Sequence, residues 1–206
     1  RHRAQLLGAL KMALIRDEFE LNFQPRMSLE SNQIVSVEAL LRWNSREMGR
    51  VGPDIFIPLA EESGQIIEIG EWVLDDALRT LSEWHALGLN HISMSVNVSA
   101  LQLLRSNLSQ QIDTLIRKYR IPEYCVELEI TESMILSQNA APLANLWALK
   151  DLGITLSLDD FGTGYSSLQY LQRFPFDKIK IDRSFVREVT HNSSSASIIR
   201  AVVSIA

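Results

Sequence analysis

The sequence predicts an α/β barrel in which strands and helices alternate along the chain. Five segments alternate apolar and polar residues with a period of two, which is typical of strands whose two faces differ. They are residues 35–41, 92–99, 126–132, 154–162 and 177–184, and each carries an acidic, amide or basic side chain on its polar face. Strands that bury an apolar face under helices and turn polar groups the other way predict a barrel with a polar site at its mouth.

The first two strands are predicted to form an antiparallel pair. Residues 1–18 precede them and predict an amphipathic helix, because Leu6 and Leu10 fall on the same face. The first strand, residues 21–24, is separated from the second, which begins at Ile34, by a short polar stretch. So short a connection cannot hold a crossover helix, and the two strands should therefore be antiparallel neighbours.

Helices are predicted between the remaining strands, some of them ended by glycine or proline. They cover residues 54–63, 67–87, 100–119, 140–151 and 166–173, with a last helix over 197–206. This pattern contains six strands, whereas a closed barrel of this type needs eight strands and about 250 residues. We therefore expect a barrel truncated after six strands, and a natural protein that continues beyond residue 206.

The composition and net charge of the chain limit the classes of protein to which it can belong. The chain has 206 residues, 46% of them hydrophobic, which is enough for one substantial core. It has no apolar run of about 18 residues and no signal-like N-terminus, so we expect a cytoplasmic protein without membrane insertion. The net charge of −5 disfavours broad binding to DNA. A small anionic ligand remains compatible with this charge if cations are concentrated locally.

The polar faces carry hard oxygen ligands that suit Mg²⁺, Mn²⁺ or Ca²⁺. These candidate metal ligands are Glu38, Asn97, Glu129, Asp159 and Asp160. Two carboxylates about 4 Å apart repel by roughly 4 kcal/mol at an effective dielectric constant near 20. Two divalent cations would balance the four carboxylates and leave Lys180 and Arg42 to attract a phosphate.

The adjacent pair Asp159 and Asp160 gives a structural expectation. Neighbours on a regular strand point to opposite faces, so both reach one site only if the strand ends there, as the following Phe161-Gly162 turn implies. Taken singly, these acids could merely cap strands and helices. Their alignment over five segments favours a metal site.

Several blocks of the sequence, taken in order, resemble the EAL-domain family of cyclic di-GMP phosphodiesterases. They are FQP (23–25), VEALLRW (37–43), NVS (97–99), ELEITES (127–133), DDFGTGYSSL (159–168) and KIKIDRSFV (178–186). The resemblance implies a modified TIM-like (β/α)₈ barrel with an antiparallel first strand. It also divides the chain into residues 1–18, an N-terminal helix that could link to a preceding domain, and residues 19–206, an EAL domain without its C-terminal strands.

The same resemblance implies an activity and assigns site residues. Family members hydrolyse cyclic di-GMP to linear pGpG with a water activated by Mg²⁺ or Mn²⁺, and two ions per site are expected. Glu38, Asn97, Glu129, Asp159 and Asp160 resemble the metal ligands, and Lys180 resembles the residue that orients the water or stabilises developing charge. Lys180, Glu38, Asp159 and Asp160 are therefore the candidate catalytic residues. Gln24 and Arg42 resemble the substrate-binding residues, and Glu132 resembles the glutamate that steadies the loop over residues 161–168.

The resemblance also implies partners and leaves alternatives. Family members form homodimers, and their EAL domains are often attached to a GGDEF or sensory domain. The alternatives to an enzyme are a catalytically inactive cyclic di-GMP receptor and a dimerisation module. In the family, strands beyond the position of residue 206 supply a further metal-associated glutamate, to which no residue of this sequence corresponds.

Overall fold

The computed structural model describes residues 2–105, 107–135, 141–162 and 174–205. A seven-stranded sheet lies at its centre. The strands are β1 (Phe19–Met27), β2 (Ile34–Ser45), β3 (Gly49–Val51), β4 (Ser93–Asn97), β5 (Val126–Thr131), β6 (Thr155–Phe161) and β7 (Lys178–Ile181). Their order in the sheet is β1-β2-β4-β5-β6-β7, with β3 paired to β2.

The pairing of the first two strands confirms the predicted antiparallel hairpin. β1 and β2 pair antiparallel over their length, with Gln24 opposite Glu38. β1 runs from Phe19 to Met27 and is therefore longer than the four residues predicted. The sequence prediction also missed β3, which pairs antiparallel with the end of β2. Three residues are too few to show a period, so β3 left no alternation to detect.

From β2 onwards the neighbouring strands of the path are parallel, as the alternation with helices predicted. The helices are α1 (His2–Ala13), α2 (Pro53–Ser63), α3 (Ile66–Ala86), α4 (Ala100–Leu103), α5 (Leu108–Tyr119), α6 (Glu132–Ile135), α7 (Ala141–Asp151), α8 (Arg183–Glu188) and α9 (Ser193–Ile205), with a 3₁₀ turn at Glu123–Cys125. The predicted helix over residues 166–173 lies outside the described residues.

The single helix predicted over residues 100–119 is wrong, because two helices occupy that stretch. Ser99 starts α4 with a capping box in which its side chain and that of Gln102 satisfy each other's backbone amides. Leu104 already caps the end of α4, and Asn107 stands at the N-cap position of α5. Leu103, Leu108 and Ile112 are buried on both sides of the break, so the apolar spacing alone did not reveal it.

The core lies between the sheet and the helices, with Trp43 and Phe56 among its fully buried side chains. The Trp43 and Phe56 rings meet edge to face at 5.7 Å between centroids. Trp43 Nε1 donates to Oε2 of Glu18 at 3.0 Å, so the buried indole keeps a hydrogen-bond partner. The lone Cys125 is buried and free.

The other face of the sheet is polar, and the side chains at its centre are as buried as those of the apolar core. Ser95 and Ser157 are 0% exposed, and Glu127 and Glu129 are 1% exposed. The polar residues thus fill the concave interior as well as the mouth, and buried carboxylates there need cationic partners. In the described residues the sheet is an open path from β1 to β7, and the predicted α/β barrel class is confirmed. No described helix is both long enough and apolar enough to cross a membrane.

Candidate active site

Lys180 stands at the centre of a cluster of carboxylates contributed by three other strands. Its Nζ donates to Oε2 of Glu38 at 3.1 Å and to Oδ2 of Asp159 at 3.1 Å, and it also contacts Oε2 of Glu129. Glu38 lies on β2, Glu129 on β5, Asp159 on β6 and Lys180 on β7. Parallel strands bring these polar faces together on one side of the sheet, which is why residues so distant in sequence meet.

Asn97 completes this cluster. It lies at the end of β4, in register with Glu129 of β5. Its Nδ2 donates to Oε1 of Glu38 at 3.0 Å, so both oxygens of Glu38 are engaged, one by Asn97 and one by Lys180. The structure therefore brings together four of the five predicted metal ligands, three of them in contact with the Lys180 ammonium group and Asn97 through Glu38.

The charges of the cluster shift its pKa values in different directions. Burial works to raise the pKa of Glu38, but the Lys180 charge and the Asn97 hydrogen bond outweigh it and hold that pKa below its usual value. The pKa of Glu129 is raised, because its burial and the nearby Glu38 charge exceed the effect of Lys180. Burial works to lower the pKa of Lys180, but hydrogen bonding to Glu129 and the surrounding carboxylates raise it well above its usual value.

Asp160, the fifth predicted ligand, lies near this cluster, but the structural reason that the sequence analysis gave for its position is wrong. The strand does not end at the aspartate pair, since β6 continues to Phe161. Instead, the pairing of β6 with β7 shifts register between Leu158 and Phe161, and Asp160 adopts a left-handed conformation with φ of 56°. An irregularity of this kind re-aims side chains within a strand. Burial, followed by repulsion from Asp159 and Asp182, raises the pKa of Asp160.

Glu132 lies directly after β5 and is largely buried. Its Oε2 accepts a hydrogen bond from the backbone N–H of Gly162 at 3.2 Å. Gly162 has a positive φ of 98°, and a Cβ there would press on the ring of Phe185. Glu132 therefore contacts the first residue after β6, whereas the rest of the predicted loop, residues 163–168, lies outside the described residues.

The two predicted substrate-binding residues lie on the two strands of the hairpin that carries Glu38. Gln24 is exposed and pairs in register with Glu38 across the hairpin. Arg42 lies four residues after Glu38 on β2, where it lines a cavity of about 540 Å³. Asn97 also lines this cavity, which therefore adjoins the carboxylate cluster. Its volume falls in the range of small-molecule sites.

The walls of the cavity are largely apolar, with few polar groups. They include Leu40, Pro53, Ile57, Ile69, Val73 and Met134. Glu61 of α2 also lines the cavity, and burial raises the pKa of its carboxyl group. An apolar cavity beside a charged cluster suits a ligand that combines flat apolar surfaces with phosphate groups.

The predicted site residues did not include three charged residues of the interior, namely Arg26, Glu127 and Lys178. Arg26 falls in the short polar stretch predicted between the first two strands, but it belongs to β1. Its Nη1 donates to Oε1 of Glu127 at 2.9 Å, and Lys178 Nζ contacts Oε2 of the same carboxylate at 2.5 Å. The period-two pattern placed Glu127 and Lys178 on polar strand faces. It would also have found Arg26 in a longer first strand, since each of the three lies two residues from a predicted site residue on the same strand.

The donor set fits divalent cations in chemistry, although the side chains hold an ammonium group instead. In the described part of the chain, no three His, Cys, Asp or Glu side chains stand close enough together to hold a metal ion as they are. Nζ of Lys180 lies among these carboxylates, which would have to move closer together in order to bind a metal ion. Three carboxylates that already share one cation, with the Asn97 amide beside them, are ligands of the kind that Mg²⁺ and Mn²⁺ prefer.

Comparison with known proteins identifies the family. The family model described as EAL domain matches residues 7–206, and the chain belongs to this family, as the sequence motifs predicted. It is 40% identical over 201 residues to the bifunctional diguanylate cyclase/cyclic di-GMP phosphodiesterase MucR of Pseudomonas aeruginosa, covering 98% of this chain and 29% of that protein. It is 37% identical over 202 residues to the cyclic di-GMP phosphodiesterase NbdA of the same species, covering 98% of this chain and 26% of that protein.

Solved structures agree with this assignment. The MucR phosphodiesterase in complex with cyclic di-GMP superimposes with a TM-score of 0.91 at 40% identity, covering 98% of this chain and 81% of that one. The FimX EAL domain superimposes with a TM-score of 0.87 at 25% identity, covering 97% of this chain and 79% of that one. The chain spans less than a third of the length of the two curated relatives described above.

Proposed function

We propose that the protein hydrolyses cyclic di-GMP to linear pGpG in bacterial signalling. The observation that carries this proposal is the convergence of Glu38, Glu129 and Asp159 on one cation, with Asn97 bound to Glu38. Relatives named as cyclic di-GMP phosphodiesterases support the choice of substrate. The adjoining apolar cavity with Arg42 at its wall supports a ligand that has both bases and phosphates.

Hydrolysis by this site would depend on Mg²⁺ or Mn²⁺. Glu38, Asn97, Glu129 and Asp159 would hold one ion, and Asp160, beside Asp159, would serve a second. Bound divalent cations supply a water molecule of lowered pKa and withdraw charge from the phosphoryl oxygens.

The residues of the chain then have separate tasks in the reaction. The oxygen of the water forms a bond to phosphorus, the bond from phosphorus to one ribose oxygen breaks, and that oxygen takes up a proton. Arg42 binds a phosphate at the cavity wall and Gln24 contacts the ligand from β1. Lys180 donates hydrogen bonds and offsets the negative charge that develops on the phosphoryl group. Glu132 steadies the backbone at Gly162, next to the aspartate pair.

We propose that the protein works as a homodimer and that it is attached to a further domain. A relative that combines diguanylate cyclase and phosphodiesterase activities in one chain supports the attachment of a GGDEF or sensory domain. Residues 1–18 are predicted to link the EAL domain to such a domain.

The test is a turnover assay on the intact protein with cyclic di-GMP and either Mg²⁺ or Mn²⁺, with the product identified by mass. We expect pGpG only when a divalent cation is present. Glu38→Gln should abolish turnover, because it removes a charge from the centre of the cluster. Glu83→Gln is the matched control, since the exposed Glu83 pairs with Arg79 on the surface of the same helix, and it should leave turnover unchanged.

Two results would decide against the enzyme. Binding of cyclic di-GMP without product, in the presence of either metal, would assign the protein to the receptor class. Absence of both binding and turnover would leave dimerisation as the role of the domain.

A further inference from the structure

Arg26 reaches across the interior of the sheet from one edge strand to its centre. It lies on β1, and two strands, β2 and β4, separate β1 from β5 in the sheet. Its Nη1 donates to Oε1 of Glu127 at 2.9 Å and to Oε1 of Glu129 at 3.2 Å, both on β5. Its Nε donates to Oγ of Ser36 at 2.9 Å, which anchors the base of the guanidinium group on β2.

Glu129 is held from two sides by this arrangement. Its Oε1 accepts from Arg26, while its Oε2 accepts from Lys180 on β7. The Glu129 side chain is 0% exposed, so these protein contacts replace the water that would otherwise solvate the carboxylate. Because a carboxylate is planar, fixing Oε1 with Arg26 leaves Oε2 facing Lys180, whose ammonium group also contacts Glu38 and Asp159.

Glu127 keeps the guanidinium group in position. Its carboxylate, 1% exposed, lies between Arg26 on one side and Lys178 on the other. Removing a single partner from a buried ion pair is strongly unfavourable, so Glu127 ties Arg26 to this depth of the interior. Held in this position, the guanidinium group contacts Oε1 of Glu129 and leaves Oε2 to Lys180.

We propose that Arg26 is a positioning residue that orients Glu129 so that one of its oxygens faces the cation site. The inference rests on the proposed function, because Glu129 is taken there as a ligand. A planar fork with several donors can contact Ser36, Glu127 and Glu129 at once, whereas a lysine ammonium is a single point charge at the end of a flexible stem. Partners that orient metal ligands typically change metal affinity by about 10–100-fold when they are replaced.

The test compares Mn²⁺ binding by calorimetry, without substrate, in the intact wild-type protein and in the variant Arg26→Lys. The variant keeps the positive charge and loses the fork. We expect Mn²⁺ affinity to fall by about 10-fold or more and kcat to fall with it, while KM for cyclic di-GMP changes little, because Arg26 does not line the cavity. Arg79→Lys is the matched control, since Arg79 contacts Asp76 and Glu83 on the surface of α3.

Equal Mn²⁺ affinity in folded Arg26→Lys and wild type would overturn the inference, and so would an equal loss in Arg79→Lys. If Arg26→Lys does not fold, the double variant Arg26→Gln with Glu127→Gln removes both charges of the pair, and unchanged Mn²⁺ affinity there overturns the inference in the same way. Wild-type protein that binds no Mn²⁺ would instead contradict the proposed function, and the two failures are therefore distinguishable.

Discussion

Nζ of Lys180 and Oε2 of Glu38 lie 3.1 Å apart although 142 positions separate the two residues in the sequence. The contact spans the interior of the sheet from β7 to β2, and it shares its ammonium group with Glu129 and Asp159. A single cation is therefore shared by three carboxylates, which leaves the cluster negatively charged. This excess of negative charge underlies both the expected affinity for divalent cations and the first prediction.

Replacing Lys180 should lower the stability of the metal-free protein and increase the stabilisation that the protein gains from added metal. Lys180→Gln leaves three carboxylates without their common cation, and we expect a loss of about 2–4 kcal/mol in unfolding free energy in the presence of a chelator. Added Mn²⁺ should then raise the melting temperature more in the variant than in wild type, because the ammonium no longer competes for the carboxylates. Turnover should fall by at least about 100-fold.

The control for this variant is Lys118→Gln, since Lys118 pairs with Asp75 on the surface at 2.7 Å. Exposed pairs contribute less than about 1 kcal/mol, so its melting temperature should stay close to that of wild type with and without Mn²⁺. An equal response to Mn²⁺ in wild type and Lys180→Gln would contradict competition at the cluster.

Glu18 should be a determinant of stability remote from the carboxylate cluster. It is 3% exposed and accepts hydrogen bonds from Nε1 of Trp43 and, at 3.3 Å, from the backbone N–H of Arg46. Glu18→Ala leaves the buried indole without its acceptor, and we expect a loss of about 2–3 kcal/mol. Urea denaturation followed by tryptophan fluorescence measures it. Glu47→Ala, which removes an exposed pair with Arg16, should cost less than about 0.5 kcal/mol.

Gly70 should not tolerate a side chain. A Cβ at this position of α3 would overlap the side-chain amide of Gln102, which is buried and closes the capping box with Ser99. We expect Gly70→Ala to destabilise the protein by about 1–3 kcal/mol, measured as a lower melting temperature, and Gln102→Ala in the same protein to restore part of the loss. Gly8→Ala on α1 meets no neighbouring atom and should be neutral or stabilising. Equal effects at the two glycines would refute the packing argument.

The N-terminus of α8 should contribute a pH-dependent increment of stability. Hydrogen bonds from the Ser184 hydroxyl and backbone N–H lower the pKa of the Asp182 carboxyl group. Since the folded pKa is below the unfolded value of about 3.9, the stabilisation is present above that value and is lost as the pH falls through the folded pKa.

Asp182→Ala should therefore cost about 1 kcal/mol or less at pH 7, and the difference from wild type should shrink as the pH falls through the folded pKa of Asp182. Chemical denaturation over a series of pH values from neutral to acidic measures the effect. Asp113→Ala, which removes an exposed pair within α5, is the control. A difference for Asp182→Ala that stays constant with pH would show that the charge of the cap does not contribute.

Local patterns in the sequence predicted most of the fold. The short link between β1 and β2 fixed their antiparallel pairing, because no helix fits there. The alternation at Glu127 and Glu129 predicted a strand with two chemically different faces, which β5 is. The prediction failed where the apolar spacing continued across a helix end, as between α4 and α5, and where an element was too short to show a period, as in β3.

The sequence by itself determined which residues share a face, because the period of a strand is a property of its backbone and needs no partner. It therefore sufficed to choose Glu38, Asn97, Glu129 and Asp159 as one oxygen-rich set. Only the tertiary structure decided which of these groups touch and through which cation, since the distance across the interior depends on how the strands curve and pair. That is why Lys180 at the centre of the carboxylates, and Arg26 behind Glu129, became visible only in the folded chain.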